Sequence, residues 1–134
     1  MGEGVLIVDD DARFRFAARA VLEACGFSVV GEAADGGQAL TAVRTAAPAV
    51  VLLDVQLPDI DGFEVASLLS LEEVAPAVVL VSSRPAAAYR HRFESSSVRG
   101  FIAKEELSGD ALRAVLGWRT TCPDFGASSS ARRR

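Results

Sequence analysis

Five short runs rich in Val, Leu and Ile, at residues 4–8, 27–32, 49–53, 77–81 and 99–103, alternate with longer stretches whose apolar residues recur every three or four positions. A short apolar run without polar alternation suits a strand covered on both faces. Strands separated by helical stretches are joined by right-handed crossovers, not by hairpins. The expected fold class is therefore α/β, a five-stranded parallel sheet doubly wound as (βα)5, with helices on both faces. The helical stretches run over Ala12–Cys25, stopped by Gly26, and over Gln38–Ala47, entered by a Gly36-Gly37 turn and closed by Pro48. A third begins near Phe63 and ends before Pro76, a fourth covers Pro85–Glu94, and the last covers Ser108–Trp118 with Ser108 or Asp110 as its cap.

At 134 residues the chain suits one domain, a size that buries roughly two-thirds of its unfolded surface. Residues 119–134, with Pro123, Gly126, Ser128–Ser130 and three arginines, lack periodicity and read as a flexible tail or linker after a domain spanning 1–118. Without Arg132, Arg133 and Arg134 there are 11 basic against 18 acidic residues, a charge of −7, so direct nucleic-acid binding by this domain is not expected. Cys25 and Cys122 fit no metal-ligand spacing and no disulfide framework, and read as free thiols. No apolar run approaches the ~20 residues of a membrane helix, and no basic-then-apolar leader is evident, so a cytoplasmic protein without membrane contact is expected.

The strand ends carry the chemistry. In a parallel α/β sheet the carboxyl ends of the strands share one edge, where ligands bind. Here the first run delivers Asp9-Asp10, the third Asp54, the fourth Ser82-Ser83 and the fifth Lys104. Taken singly, each residue has a plainer role. Asp11 reads as a helix cap, Asp9 and Asp10 as caps or solvated turn residues, and Asp59 and Asp61 as turn formers. Ser82 and Ser83 would be loop residues and Lys104 a surface charge. Their joint placement at one edge is what points to a site.

Together, V-D-D after the first strand, L-D-V-Q-L-P-D-I-D-G-F after the third, V-S-S after the fourth and F-I-A-K after the fifth resemble the receiver domain of bacterial two-component response regulators, the CheY-like superfamily. The resemblance runs over about residues 3–118, with Pro58 and Gly62 four and eight residues past Asp54. It implies a flavodoxin-like sheet and a phosphoacceptor module of a phosphorelay. Asp54 would take the phosphoryl group from a phosphohistidine, and Asp9, Asp10, Asp54 and the backbone carbonyl of Gln56 would hold Mg²⁺, a hard ion that favours oxygen ligands. Lys104 would pair with Asp54 at rest and with a phosphoryl oxygen afterwards, and Ser82 would donate its hydroxyl to another. Phe101, three residues before the lysine, would be the aromatic switch. Gln56 and Arg84 sit where the family tunes dephosphorylation.

Three features depart from the family pattern. Ser82 stands where Thr is commoner. Glu105 follows the lysine in place of Pro, which leaves the loop after the fifth strand open. Glu94-Ser95-Ser96-Ser97 replaces a small Gly/Ala pair, which implies a short or mobile fourth helix. The partners implied are a sensor histidine kinase or phosphotransfer protein and an output domain or downstream protein, with a homodimer through Trp118 and the last helix as a further option. Such a module catalyses its own phosphotransfer and is not a turnover enzyme. Two alternative functions stay open at this level, a phosphorylation-independent docking scaffold and a Mg²⁺-dependent phosphohydrolase with an aspartyl intermediate. The latter is disfavoured by Arg13, which stands where a small residue would follow its nucleophile. A flavodoxin-type electron carrier would need phosphate-cradling amides after the first strand, where this chain has three acids.

Overall fold

The computed structural model describes residues 4–93 and 97–118. Strands β1 (Gly4–Val8), β2 (Ser28–Ala33), β3 (Val50–Asp54), β4 (Ala77–Ser82) and β5 (Gly100–Ala103) pair in parallel in the order β2-β1-β3-β4-β5. Between them lie α1 (Ala12–Ala24), α2 (Gly36–Ala46), α3 (Gly62–Leu69) and α4 (Arg90–Phe93), and α5 (Gly109–Leu116) follows β5. The chain leaves β1 towards β2 on one side and then crosses to β3 on the other. The two crossovers diverge above the carboxyl ends of β1 and β3 and leave a crevice there.

Strand side chains alternate between two apolar layers. Leu6, Val8, Val51, Leu53, Val78 and Leu80 pack with α2 and α3 on one face. Val5, Ile7, Val50, Leu52, Val79 and Val81 pack with α1 and α5 on the other. Because both faces are covered, the inner strands have no polar alternation, and Val5–Val8 and Val50–Leu53 are wholly buried. At the carboxyl end the burial pattern continues into carboxylates: Asp9 is 0% exposed and Asp54 4%.

Helix ends follow the expected capping chemistry. Asp11 accepts from the Arg13 N–H at the start of α1, and Gly26, at φ 93°, ends that helix. Ser108, not Asp110, caps α5 by accepting from the Ala111 N–H. Asp61 caps α3 through the Phe63 N–H.

Three expectations are corrected. Gly36 and Gly37 do not form a turn before α2 but open the helix itself. A Cβ at Gly36 would come within 2.5 Å of Ile60 and 2.9 Å of Val65, so the glycine permits close packing of α2 on the β3–α3 loop. The fourth helical stretch is broken into a 3-10 turn, Ala86–Tyr89, and the four-residue α4. Pro85 opens that turn without a side-chain cap, and the Ala88 N–H donates to the Pro85 carbonyl at 3.0 Å, the three-residue spacing of a 3-10 turn. Glu94, Ser95 and Ser96 lie outside the described residues. Finally, Cys25, buried at the end of α1, is disulfide-bonded and not a free thiol. Sequence spacing does not reveal such a bond, and Cys122 lies outside the described residues.

Asp59, expected only to form a turn, also reaches across to α2, where its carboxylate accepts from the N–H groups of Gly36 and Gly37 at 2.9 and 3.0 Å. These donors hold its pKa below the usual carboxylate value, the Gly36 N–H most of all. Asp59→Ala is expected to lower the urea midpoint and to speed amide exchange at Gly36 and Gly37 while sparing α5.

Candidate functional site

The three acids that follow β1 and β3 do converge. One carboxylate oxygen each from Asp9, Asp10 and Asp54 lies within 4.8 Å of the others. The pairing of Val8 with Leu53 puts the two strand ends level, so Asp9 and Asp54, each next in sequence, emerge side by side. Asp9 and Asp54 are buried and Asp10 is exposed, which opens the cluster to solvent on one side. Lys104, delivered by β5, brings its ammonium to 2.6 Å from Asp9 Oδ2 and 3.5 Å from Asp54 Oδ2. At rest it is therefore closer to Asp9 than to Asp54, the partner expected from sequence. The Phe14 ring lies 4.7 Å from the same ammonium, an additional cation–π restraint on where the lysine sits. The backbone beyond Lys104 forms a 3-10 turn, Lys104–Glu106, which resolves the conformation that Glu105 left open.

These contacts set the electrostatics. Burial pushes the Asp54 carboxyl up to about 6, and the Asp9 charge pushes in the same direction. Lys104 and the Gln56 N–H, 3.2 Å from Asp54 Oδ1, oppose both but do not cancel them. For Lys104, burial favours the neutral amine, yet the Asp9 and Asp54 carboxylates outweigh it and raise its pKa above the usual lysine value. Asp9 also accepts the Asp11 N–H through Oδ1 at 2.8 Å, which fixes its orientation. The result is a buried carboxylate, short of cationic compensation, beside a second acid and one ammonium. Such a cluster favours a cation, and its all-oxygen donors suit a hard divalent one.

The remaining sequence-derived candidates lie at the same edge but differ in engagement. Ser82 ends β4 and is 1% exposed. It sits one residue past Val81, the β4 residue opposite Asp54, and opposite Ala103, the residue before Lys104. Phe101 is partly buried and packs against Phe93 and Tyr89, with ring centroids 5.7 and 6.2 Å apart. The side chains of Gln56 and Arg84 are exposed and line one open cavity with Asp59, Asp61, Tyr89 and Arg92.

Two contacts here had no counterpart in the sequence reading. Arg92 reaches from α4 to Asp61 at 2.6 Å and lies 4.3 Å over the Phe63 ring. Burial would raise the Asp61 pKa, but Arg92 and the Phe63 N–H outweigh it and hold it low. Tyr89 places its hydroxyl 2.9 Å from Ser82 Oγ. The available signal for Tyr89 was its position, since it is the chain's only tyrosine and follows three alanines in a segment with few other apolar anchors.

Comparison with known proteins agrees with this geometry. Residues 5–116 match the family model for the response regulator receiver domain. A transcriptional regulator of Pseudomonas aeruginosa is 36% identical over 111 residues, covering 83% of this chain and 54% of that protein. The virulence-factor transcription regulator BvgA of Bordetella pertussis is 34% identical over 111 residues, covering 83% of this chain and 53% of its own length. The chain thus spans about half the length of the curated relatives it matches. Among solved structures, the signal receiver domain of the response regulator NarL from Mycobacterium tuberculosis superposes with a TM-score of 0.76 at 30% identity, over 87% of this chain and 98% of that domain. Among the described residues no helix is long and apolar enough to cross a membrane. With its parallel sheet, its acid cluster above β1 and β3 and a family match over residues 5–116, this protein belongs to the receiver domains of two-component response regulators.

Proposed function

We propose that the chain is a phosphoacceptor switch in which Asp54 takes a phosphoryl group from a histidine kinase or phosphotransfer protein. The observation that carries this reading is the convergence of Asp9, Asp10 and Asp54 with Lys104 at 2.6 and 3.5 Å from two of them. An Asp54 carboxylate oxygen attacks the phosphorus of a phosphohistidine. The new P–O bond forms as the P–N bond breaks, and the electron pair leaves with the imidazole nitrogen, which is then protonated. Carboxylates are weak nucleophiles, so rate depends on clamping the transferring group and on cationic stabilisation of its oxygens.

Asp9, Asp10 and Asp54, with the backbone carbonyl of Gln56, would hold Mg²⁺ through oxygen ligands. When bound, Mg²⁺ neutralises charge on the phosphoryl oxygens and relieves repulsion among the acids. Lys104 moves from Asp9 and Asp54 towards a phosphoryl oxygen and supplies a positive charge on a flexible stem. The Ser82 hydroxyl donates to another oxygen. Gln56 and Arg84, on the open flank, meet water approaching the acyl phosphate and tune its lifetime. Phe101, among Phe93 and Tyr89, couples that change to the surface of α4 and β5, where an output domain or downstream protein binds. On this reading residues 1–118 make up the receiver unit and 119–134 a tail or linker, and the reaction takes place in the cytoplasm.

Phosphorus NMR tests this reaction directly. With phosphoramidate, a small donor that also breaks a P–N bond, and Mg²⁺, an acyl phosphate resonance should appear in the wild type. Lys104→Ala and Asp9→Asn should each reduce it by roughly tenfold or more. An unchanged resonance in both variants would contradict the proposed clamp.

A further inference from the structure

The Ser82 hydroxyl has one hydrogen to donate and two lone pairs with which to accept. The backbone N–H of Arg84 already occupies one lone pair, at 3.0 Å. The Tyr89 hydroxyl lies 2.9 Å from the same oxygen, and the two groups are buried, with Ser82 1% and Tyr89 7% exposed. Two proton arrangements satisfy this pair. If Ser82 donates to Tyr89, its hydrogen is consumed inside the protein. If Tyr89 donates to Ser82, both serine lone pairs are filled and the hydrogen must point elsewhere.

We propose that Tyr89 is a positioning residue that donates to Ser82 Oγ and thereby aims the Ser82 hydrogen at the phosphoryl group on Asp54. The inference rests on the phosphoacceptor reading given above. Tyr89 is suited to the task because its ring is already fixed: it packs between Phe63 and Phe101, at centroid distances of 5.9 and 6.2 Å. The ring is part of the apolar layer on the α2 and α3 face, so the phenol is delivered to Ser82 without ordering a mobile group at the moment of reaction. Phe101 has no hydroxyl, so the only phenol available to Ser82 comes from the 3-10 turn before α4. A serine, less restricted at χ1 than threonine, gains most from a second fixed partner.

The test follows phosphoryl uptake from acetyl phosphate with Mg²⁺ by intact mass in the wild type, Tyr89→Phe, Ser82→Ala and the double variant. Tyr89→Phe keeps the ring and removes only the donor, so uptake is expected to slow by about three- to tenfold, the range of one hydrogen bond to a buried group. In the Ser82→Ala background the same change should have no further effect, because the residue it acts through is gone. A second readout uses the single tyrosine: fluorotyrosine incorporation labels Tyr89 alone. The more acidic phenol is a stronger donor and should raise uptake above the unlabelled protein, and its fluorine resonance should shift on Ser82→Ala. The inference is overturned if the wild type is phosphorylated while Tyr89→Phe matches or exceeds it, or if the two substitutions multiply. If the wild type itself takes no phosphoryl group, the phosphoacceptor reading fails first and the inference falls with it.

Discussion

Asp54→Asn is expected to abolish phosphoryl uptake and yet leave a more stable protein at pH 7. Burial, reinforced by Asp9, raises the Asp54 carboxyl from 3.8 to about 6 in the folded protein. The folded state therefore binds this proton more tightly than the unfolded chain does. Stability contributed by that proton is complete below the unfolded value and is lost as pH rises towards the folded one. Across that window the wild type forfeits on the order of 3 kcal/mol, which at pH 7 it no longer has. Asparagine keeps the shape and an oxygen to accept the Gln56 N–H, and it leaves Lys104 paired with Asp9 at 2.6 Å. The variant should melt higher than the wild type at pH 7 by roughly 5 °C or more. The gap should close at pH 4 and below, where both side chains are neutral, and added Mg²⁺ should narrow it at pH 7. Thermal unfolding at the two pH values, with and without Mg²⁺, checks each part. A variant less stable than wild type at pH 7 would show that the Asp54 charge is fully compensated.

Gly62→Ala is expected to be the most damaging small substitution near the site. A Cβ there would overlap the Asp54 carbonyl oxygen and lie 2.8 Å from the Val55 Cα. Both obstacles are backbone, and the Gly62 N–H already donates to the Val55 carbonyl at 2.8 Å, which ties the two segments together. Relief requires the loop after β3 to move away from α3, at a cost of roughly 3 kcal/mol or more. That movement would also carry the backbone on which Asp54 is mounted. A lower urea midpoint should therefore accompany slower phosphoryl uptake. Gly100→Ala is the contrast. There the 2.6 Å obstacle is Cγ1 of Val115, a side-chain atom that can shift, and the effect on stability should be smaller, with little on uptake. Equal effects of the two alanines would contradict a backbone-locked loop.

What was legible in the sequence follows from which interactions are local. The strands were readable because a parallel sheet buried on both faces must be apolar without interruption, as Val5–Val8 and Val50–Leu53 are. Asp9, Asp54 and Lys104 were readable because each ends a strand, and strand ends in such a sheet have one place to meet. The capping role of Asp11 was local too, since its donor is two residues away. Interactions across elements were not legible. Asp59 looked like a turn residue because Gly36 and Gly37, its donors, are more than twenty residues earlier. Gly36 looked like a breaker because nothing in the sequence shows Ile60 against it. The preference of Lys104 for Asp9 over Asp54 depends on a difference of less than an ångström between two contacts. A short fourth helix was legible in Glu94–Ser97, but the 3-10 turn that precedes it was not, because residue spacing carries no information about how Pro85 starts the segment. Tyr89 escaped because its importance lies in one oxygen meeting Ser82 across the fold.

Intact mass after incubation with acetyl phosphate, compared between wild type and Asp54→Asn with and without Mg²⁺, tests the nucleophile, the metal requirement and the reaction class at once. The wild type should gain the mass of a single phosphoryl group when Mg²⁺ is present, lose that gain when the metal is chelated beforehand, and show none of it as Asp54→Asn. A folded wild type that gains nothing with Mg²⁺, or an Asp54→Asn variant that gains as much as the wild type, would contradict the assignment of Asp54 as the acceptor.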